Sequence, residues 1–63
     1  MFILVNTKTG NYFGREIADN EEGRCVDVDT IAKAKKFNTE FEATRKAQFI
    51  GGIKYSYKVV EIN

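Results

Sequence analysis

The chain contains no histidine, no tryptophan and a single cysteine, Cys25. One cysteine cannot form a disulfide within the chain, and a Cys/His zinc site cannot be built without histidine. The stability of so small a domain must therefore come from its core or from a partner. We expect Cys25 to be a small, buried apolar side chain in a reducing compartment, because free cysteine is among the most buried residue types.

The absence of histidine also removes the commonest general acid or base for catalysis at neutral pH. The remaining candidates are the carboxylates of residues 16–29, among which Asp27 and Asp29 would share a strand face and hold a divalent cation weakly. We interpret them as solvated charge, since residues 19–23 lack the ligand spacing of a calcium loop and no phosphate-binding glycine motif is present. The sequence predicts no enzyme, no cofactor, no metal site and no small-molecule substrate.

Length and hydropathy predict a single soluble domain over residues 1–63. Apolar residues make up 43% and charged residues 30% of the chain, which is typical of a folded globular protein. The apolar run at the start turns polar at Asn6, so it is too short for a signal peptide or a membrane span. We expect a cytoplasmic protein that has no membrane partner.

The net charge is only +1, yet the charges are unevenly distributed. Residues 1–30 contain three cations and six carboxylates, whereas residues 31–63 contain seven cations and three carboxylates. This asymmetry predicts an acidic and a basic face. One alternative is that the acidic stretch of residues 16–29 imitates a phosphate backbone, in which case reversing Glu21 and Glu22 to lysine would abolish partner binding.

The first half of the chain predicts a meander of three strands. The strand predicted over residues 2–6 is apolar up to Asn6, which indicates a central strand that is buried on both faces. Residues 7–11 supply turn chemistry through Gly10 and Asn11, and the chain returns over residues 12–17 with a bulge expected at Gly14. A second turn at residues 19–23 leads to a third short strand over residues 24–29.

The second half predicts a short helical turn, a longer helix and a last strand. Asp29 or Thr30 can cap the turn over residues 31–36. In one straight helix, the apolar residues of this turn and those of the following helix would lie on nearly opposite sides, so both could not face one sheet. The helix must therefore break between them. Thr39 with Glu42 forms a capping box, and two glycines end the helix, which runs over about residues 39–50. The core stripe of this helix consists of Ala43, Ala47 and Ile50.

The last strand, over residues 54–62, alternates and then changes parity at Val59 and Val60. This change indicates either a bulge or burial on both faces. The fold class is therefore α+β: a small, mostly antiparallel sheet of three to four strands, in the order ββ(β)αβ, with the helix of about residues 39–50 packed on one face.

Two segments carry a resemblance to a known group of proteins. An Ala-x-x-Phe step from Ala34 leads to a Thr-capped helix with Glu-Ala in its first turn, and the last strand reads Tyr-Lys-Val-Val-Glu-Ile from Tyr57. This pattern resembles many small phage- and prophage-encoded proteins, mostly uncharacterised, over about residues 32–62. Phe41 departs from it, since a polar residue is usual there. The resemblance implies a phage-type accessory protein and transfers no site residues.

Nucleic-acid binding is the alternative function. A sheet that bears Tyr12, Phe13, Tyr55 and Tyr57 near lysines could stack bases. We interpret these aromatic residues as core, because the chain is nearly neutral and has no RNP-like motif.

The helix carries two phenylalanines that its core stripe does not account for. With Ala43 at 0°, Phe41 falls at about 160° and Phe49 at about 240°. This side would face solvent, unless Phe49 curls onto the sheet and Phe41 packs under the turn of residues 31–37. Aromatic residues and arginine are enriched in protein contact hot spots. We therefore predict a partner-binding surface for a host protein, or for a homodimer, that consists of Phe41, Arg45, Gln48 and Phe49.

Overall fold

A computed structural model describes residues 1–17, 25–51 and 56–62 of the chain. The elements in these ranges are, in chain order, β1 (Phe2–Asn6), β2 (Tyr12–Glu16), β3 (Cys25–Val28), a 3-10 turn (Ile31–Lys33), α1 (Glu40–Gly51) and β4 (Tyr57–Glu61). The predicted turn over residues 19–23 lies outside the described residues. So do Gly52, Ile53 and residues 54–55, the last two of which begin the predicted last strand.

The four strands form one antiparallel sheet in the order β3-β2-β1-β4, and α1 packs on one face of it. The predicted α+β class and element order are confirmed, with four strands in the sheet. β1 lies between β2 and β4, as its apolar run predicted. Ile3 and Leu4 in the middle of β1 are both buried, although consecutive strand residues point to opposite faces.

β4 pairs with β1 in one continuous register, from Phe2 opposite Glu61 to Asn6 opposite Tyr57. The parity change of the last strand is therefore due to apolar residues on both faces and not to a bulge. Val59 packs against the core under α1, whereas its neighbour Val60 is paired with Ile3 on the opposite face.

The turn between β1 and β2 depends on Gly10, which has a φ of +81° that side chains with a Cβ rarely adopt. Its amide donates to the carbonyl of Asn6 at 2.8 Å, and the amide of Asn6 donates to the carbonyl of Asn11 at 2.7 Å. The side chain of Asn6 also accepts from the amide of Lys8 at 2.9 Å. Local side-chain and backbone bonds thus fix the turn where the sequence predicted it.

Gly14 is the site of the predicted bulge, since the pairing of β2 with β3 shifts register between Phe13 and Arg15. A Cβ at Gly14 would lie 2.8 Å from Cγ1 of Val28 and 2.9 Å from the carbonyl oxygen of Val26. Glycine is therefore required here because β3 approaches the backbone too closely for a side chain.

Beyond the turn, a segment from the second half of the chain lies between β1 and β2. Among the described residues, these strands pair only at Val5 and Tyr12. The amide of Lys35 donates to the carbonyl of Phe13 at 3.0 Å, and Phe2 and Phe37 exchange two backbone bonds of 2.9 and 2.8 Å. Along a strand, the backbone N–H and C=O groups of alternate residues point to the same edge. Phe2 and Asn6 therefore point to the same edge of β1, which is the edge that faces β2. We call residues 35–37 the inserted segment.

The prediction of a helical turn over residues 31–36 is wrong in two respects, the length of the turn and its cap. It is a 3-10 turn of three residues, and it ends because Ala34 adopts an extended conformation. Thr30 occupies the N-cap position but makes no side-chain cap bond. The inserted segment needs an extended backbone to bond with two strands, and this requirement overrides helix propensity.

α1 begins and packs as predicted. Thr39 Oγ1 accepts from the amide of Glu42 at 3.1 Å and donates to Oε1 of Glu42 at 3.2 Å. Ala43 is fully buried and Ile50 is 2% exposed, and half-buried Ala47 packs beside them. The small alanines let the helix approach the sheet closely.

We predict that Gly14→Ala lowers the free energy of unfolding by about 1 to 3 kcal/mol, because the new methyl group overlaps a backbone carbonyl that cannot move alone. Gly10→Asn is the matched control, since nothing lies within 4 Å of a Cβ there and asparagine tolerates positive φ. Urea unfolding of both variants measures the difference. Equal stability of the two variants would contradict the close approach at Gly14.

Candidate functional site

The outer side of α1 exposes two large aromatic side chains. Phe41 is 68% exposed and Phe49 is 55% exposed, as their positions on the helical wheel indicated. The alternatives, that Phe49 curls onto the sheet and that Phe41 packs under the turn of residues 31–37, are wrong. Ala43 and Ile50 already fill the space against the sheet, so the fold has no need of these two rings.

A shallow groove of about 370 Å³ runs along this side of the helix. Its lining residues are Phe37, Phe41, Glu42, Arg45, Lys46 and Phe49. We call it the aromatic groove. Phe41, Arg45 and Phe49 are four residues apart in turn and therefore form one stripe.

Cations lie over both exposed rings of the aromatic groove. The guanidinium carbon of Arg45 is 5.6 Å from the ring centre of Phe41, and Nζ of Lys46 is 5.6 Å from that of Phe49. Such pairs hold long side chains in place at a gain of about 0.5 to 1 kcal/mol each at exposed sites. The groove thus combines apolar surface with positive charge.

Three of the four predicted contact residues meet in this groove. The fourth, Gln48, is exposed on the same outer side of α1, but it is not one of the residues that line the groove. The role of all four in partner binding stays a prediction.

A second groove, of about 480 Å³, adjoins the first. Its lining residues are Phe13, Gly14, Arg15, Glu16, Lys35, Lys36, Phe37, Asn38, Glu42 and Lys46. We call it the basic groove, because its charged lining residues are four cations and two carboxylates. The inserted segment forms one wall, so no local sequence pattern predicted this groove. The only sequence signal was the excess of cations in residues 31–63.

The structure also contains a polar cluster that sequence reasoning missed, on the face of the sheet under α1. Asp27 accepts a bond from Nδ2 of Asn6 at 3.0 Å and one from the hydroxyl of Tyr57 at 2.7 Å. Sγ of Cys25 lies 3.0 Å from the same hydroxyl oxygen. The cluster links β1, β3 and β4.

Cys25 was expected to be a small, buried apolar side chain, and this expectation is right only in part, because Cys25 packs against the hydrophobic core but its thiol also contacts polar groups. It is half-buried and takes part in the polar cluster. Burial raises the pKa of its thiol, the bond with Tyr57 acts in the opposite direction, and the charge of Asp27 raises it further. Burial, followed by the bonds with Cys25 and Asp27, also raises the pKa of Tyr57. A thiol that holds its proton is a poor nucleophile, so we assign the cluster a structural role.

The aromatic residues of the nucleic-acid alternative do not form one platform. Phe13 is buried and makes an edge contact with Tyr57, with ring centres 6.3 Å apart. Tyr12 is adjacent to Phe13 in β2 and points to the opposite face of the sheet. Tyr55 lies outside the described residues.

In the ranges that the structure describes, no group of three or more His, Cys, Asp and Glu side chains is placed to hold a metal ion. The carboxylate of Asp27 is instead bonded within the polar cluster. None of the helical residues described here forms a segment with the length and hydropathy to cross a bilayer.

Comparison of the chain with protein-family models, with curated proteins and with solved structures finds no match.

We predict that Tyr57→Phe lowers the free energy of unfolding at neutral pH by about 1.5 to 3 kcal/mol, because it removes a hydrogen bond to a carboxylate. Tyr12→Phe is the matched control on the other face, and we expect a change within about 0.5 kcal/mol. Urea unfolding measures both variants. Equal effects would contradict the role of the polar cluster.

We predict that stability falls at alkaline pH. The pKa values of Cys25 and Tyr57 are raised on folding from ordinary values of 9.0 and 10.0, so the folded state holds both protons more tightly than the unfolded chain. This contribution is complete below pH 9 and is lost as the pH rises above these ordinary values. Unfolding by urea as a function of pH measures the fall, which should be smaller in Cys25→Ser. An unchanged pH profile in that variant would contradict the raised thiol pKa.

Proposed function

We propose that this protein is a non-enzymatic protein-binding module whose contact surface is the aromatic groove. Phe41 and Phe49 are the apolar anchors, Arg45 is the charged contact between them, and Gln48 extends the contact on the outer side of α1. The observation that carries this proposal is the exposure of two phenylalanines that the core does not use.

The composition of the groove supports a protein partner. Aromatic residues and arginine dominate the energetic centres of protein interfaces, because they bury a large area and add directional bonds. Single exposed apolar residues are common on any surface, but two rings joined by one groove form a contiguous patch. A patch of this kind favours a complementary protein surface.

The rigidity of the helix supports the same conclusion. α1 is fixed from behind by buried Ala43 and Ile50 and at its start by the Thr39 cap. The cations over Phe41 and Phe49 restrict the side chains as well. Because this surface is already ordered in the free protein, little conformational entropy would be lost when a partner binds, and this favours affinity.

The biological setting that we propose comes from the resemblance over residues 32–62. A phage-type accessory factor acts in the cytoplasm of its host and binds a host or defence protein, which it modulates or inhibits. The lack of histidine and the protonated thiol of Cys25 support an activity without catalysis. Nucleic-acid binding is the weaker candidate, because its sheet aromatics face in different directions.

We predict that the immobilised protein enriches binders from a display library of random peptides, and that these depend on Phe41 and Phe49. Replacing either ring by alanine should weaken binding at least about tenfold, which corresponds to about 1.4 kcal/mol. Fluorescence anisotropy of labelled peptides measures the affinity. Because the rings are exposed, the free energy of unfolding should change by less than about 1 kcal/mol.

Ile31→Ala is the matched control, since Ile31 is also an exposed large apolar residue but lines neither groove. Light scattering should find a monomer. Failure to enrich any peptide that depends on the two rings would overturn the proposal. A dimer that Phe41→Ala dissociates would show instead that the groove binds a second copy.

A further inference from the structure

We propose that the partner segment bound here is acidic, with one apolar anchor in the aromatic groove and carboxylates that extend into the basic groove. This inference rests on the proposed function, because it names the occupant of the same surface. It goes further in that it includes the basic groove in the binding site.

The two grooves adjoin each other, because Phe37, Glu42 and Lys46 line both. Lys46 stands at the shared wall, where its Nζ pairs with Glu16 and lies over the ring of Phe49. A segment that fills one groove can therefore run directly into the other. Each volume is within the range of about 300 to 1,000 Å³ that is usual for ligand sites.

The charges along this surface do not cancel. Among the residues that the structure describes, the charged side chains lining the two grooves are five cations and two carboxylates, and both carboxylates have partners within the protein. Glu16 is paired with Lys46, and Glu42 accepts a bond from Thr39 at the start of α1. An occupant thus meets a net positive surface, although the whole chain has a charge of only +1.

Two of the cations are placed to receive carboxylates. The guanidinium of Arg45 rests on Phe41, and its edge can still donate two parallel bonds to a carboxylate. Lys35 is exposed in the basic groove and makes no side-chain bond or ion pair within the described part of the chain. Lys36 is less available, because its Nζ donates to the carbonyl of Ala32 at 2.9 Å and to that of Ile31.

A protein segment fits this surface better than a nucleic acid. Bases stack on open aromatic faces, whereas Arg45 and Lys46 lie over the faces of Phe41 and Phe49. A peptide can place acidic side chains at the cations and an apolar side chain between the rings.

The test uses the peptides that the display selection enriches through Phe41. We expect them to carry an excess of Asp and Glu around an apolar residue. Replacing their Asp by Asn and their Glu by Gln should weaken binding at least about tenfold, and higher salt should do the same. A loss of similar size is expected in the protein variant Lys35→Glu, because Lys35 lines only the basic groove.

Lys58→Glu is the matched control, since Lys58 is exposed on the face of the sheet opposite α1. It makes the same charge change and should leave the affinity unaltered. Peptides that depend on Phe41 but show no acidic excess, or that are indifferent to Lys35→Glu, would overturn this inference and leave the proposed function intact. Failure to enrich any peptide through Phe41 would overturn both.

Nucleic acid is tested in parallel with a labelled oligothymidine at low salt. Binding of this probe that is tighter than that of the peptides, and that is lost in Lys35→Glu, would identify the surface as a nucleic-acid site and overturn the inference. We expect no such binding.

Discussion

The backbone bonds between Phe2 and Phe37 place the second half of the chain on the first. They attach the inserted segment to the central strand, in the gap that opens where β1 and β2 cease to pair. The ring of Phe37 then stacks on Phe13, with centres 6.3 Å apart and planes inclined by 23°. α1 begins three residues after Phe37, so its position on the sheet depends on this attachment. Both grooves depend on it too, since Phe37 lines each of them.

The domain separates its aromatic residues into two groups. Phe13 and Phe37 fill the core, and small side chains on α1 complete it. Phe41 and Phe49 are left outside, where cations cover them. The polar cluster connects three strands through side-chain bonds of Asn6, Cys25, Asp27 and Tyr57. This network links β1, β3 and β4, which are distant from one another in sequence.

The features that sequence predicted well depend on local physical rules. Thr39 caps α1, Gly10 permits the turn, and Gly14 marks the bulge because each of these roles follows from backbone geometry at one position. The helical wheel located the exposed rings for the same reason, since the spacing along one helix is fixed.

The features that were missed depend on distant residues. Lys35 and Lys36 were predicted to be helical because a capping residue precedes them, whereas the bonding partners of the inserted segment are Phe2 and Phe13. The burial of Cys25 was judged from residue type, whereas its polar neighbour Tyr57 comes from β4, which is distant in sequence. The basic groove is built from β2, the inserted segment and α1, so its charge pattern is not visible in any one stretch.

The place of β1 in the sheet has a consequence for how the chain folds. On one side β1 meets its nearest neighbour in sequence, and on the other it meets β4, with Phe2 opposite Glu61 and most of the chain between them. Closing so long a loop costs conformational entropy, so we expect the hairpin and α1 to form before β4 pairs with β1. Before β4 pairs, the backbone groups along that edge of β1 have no partner strand, and we expect the chain to be most prone to aggregation at that stage.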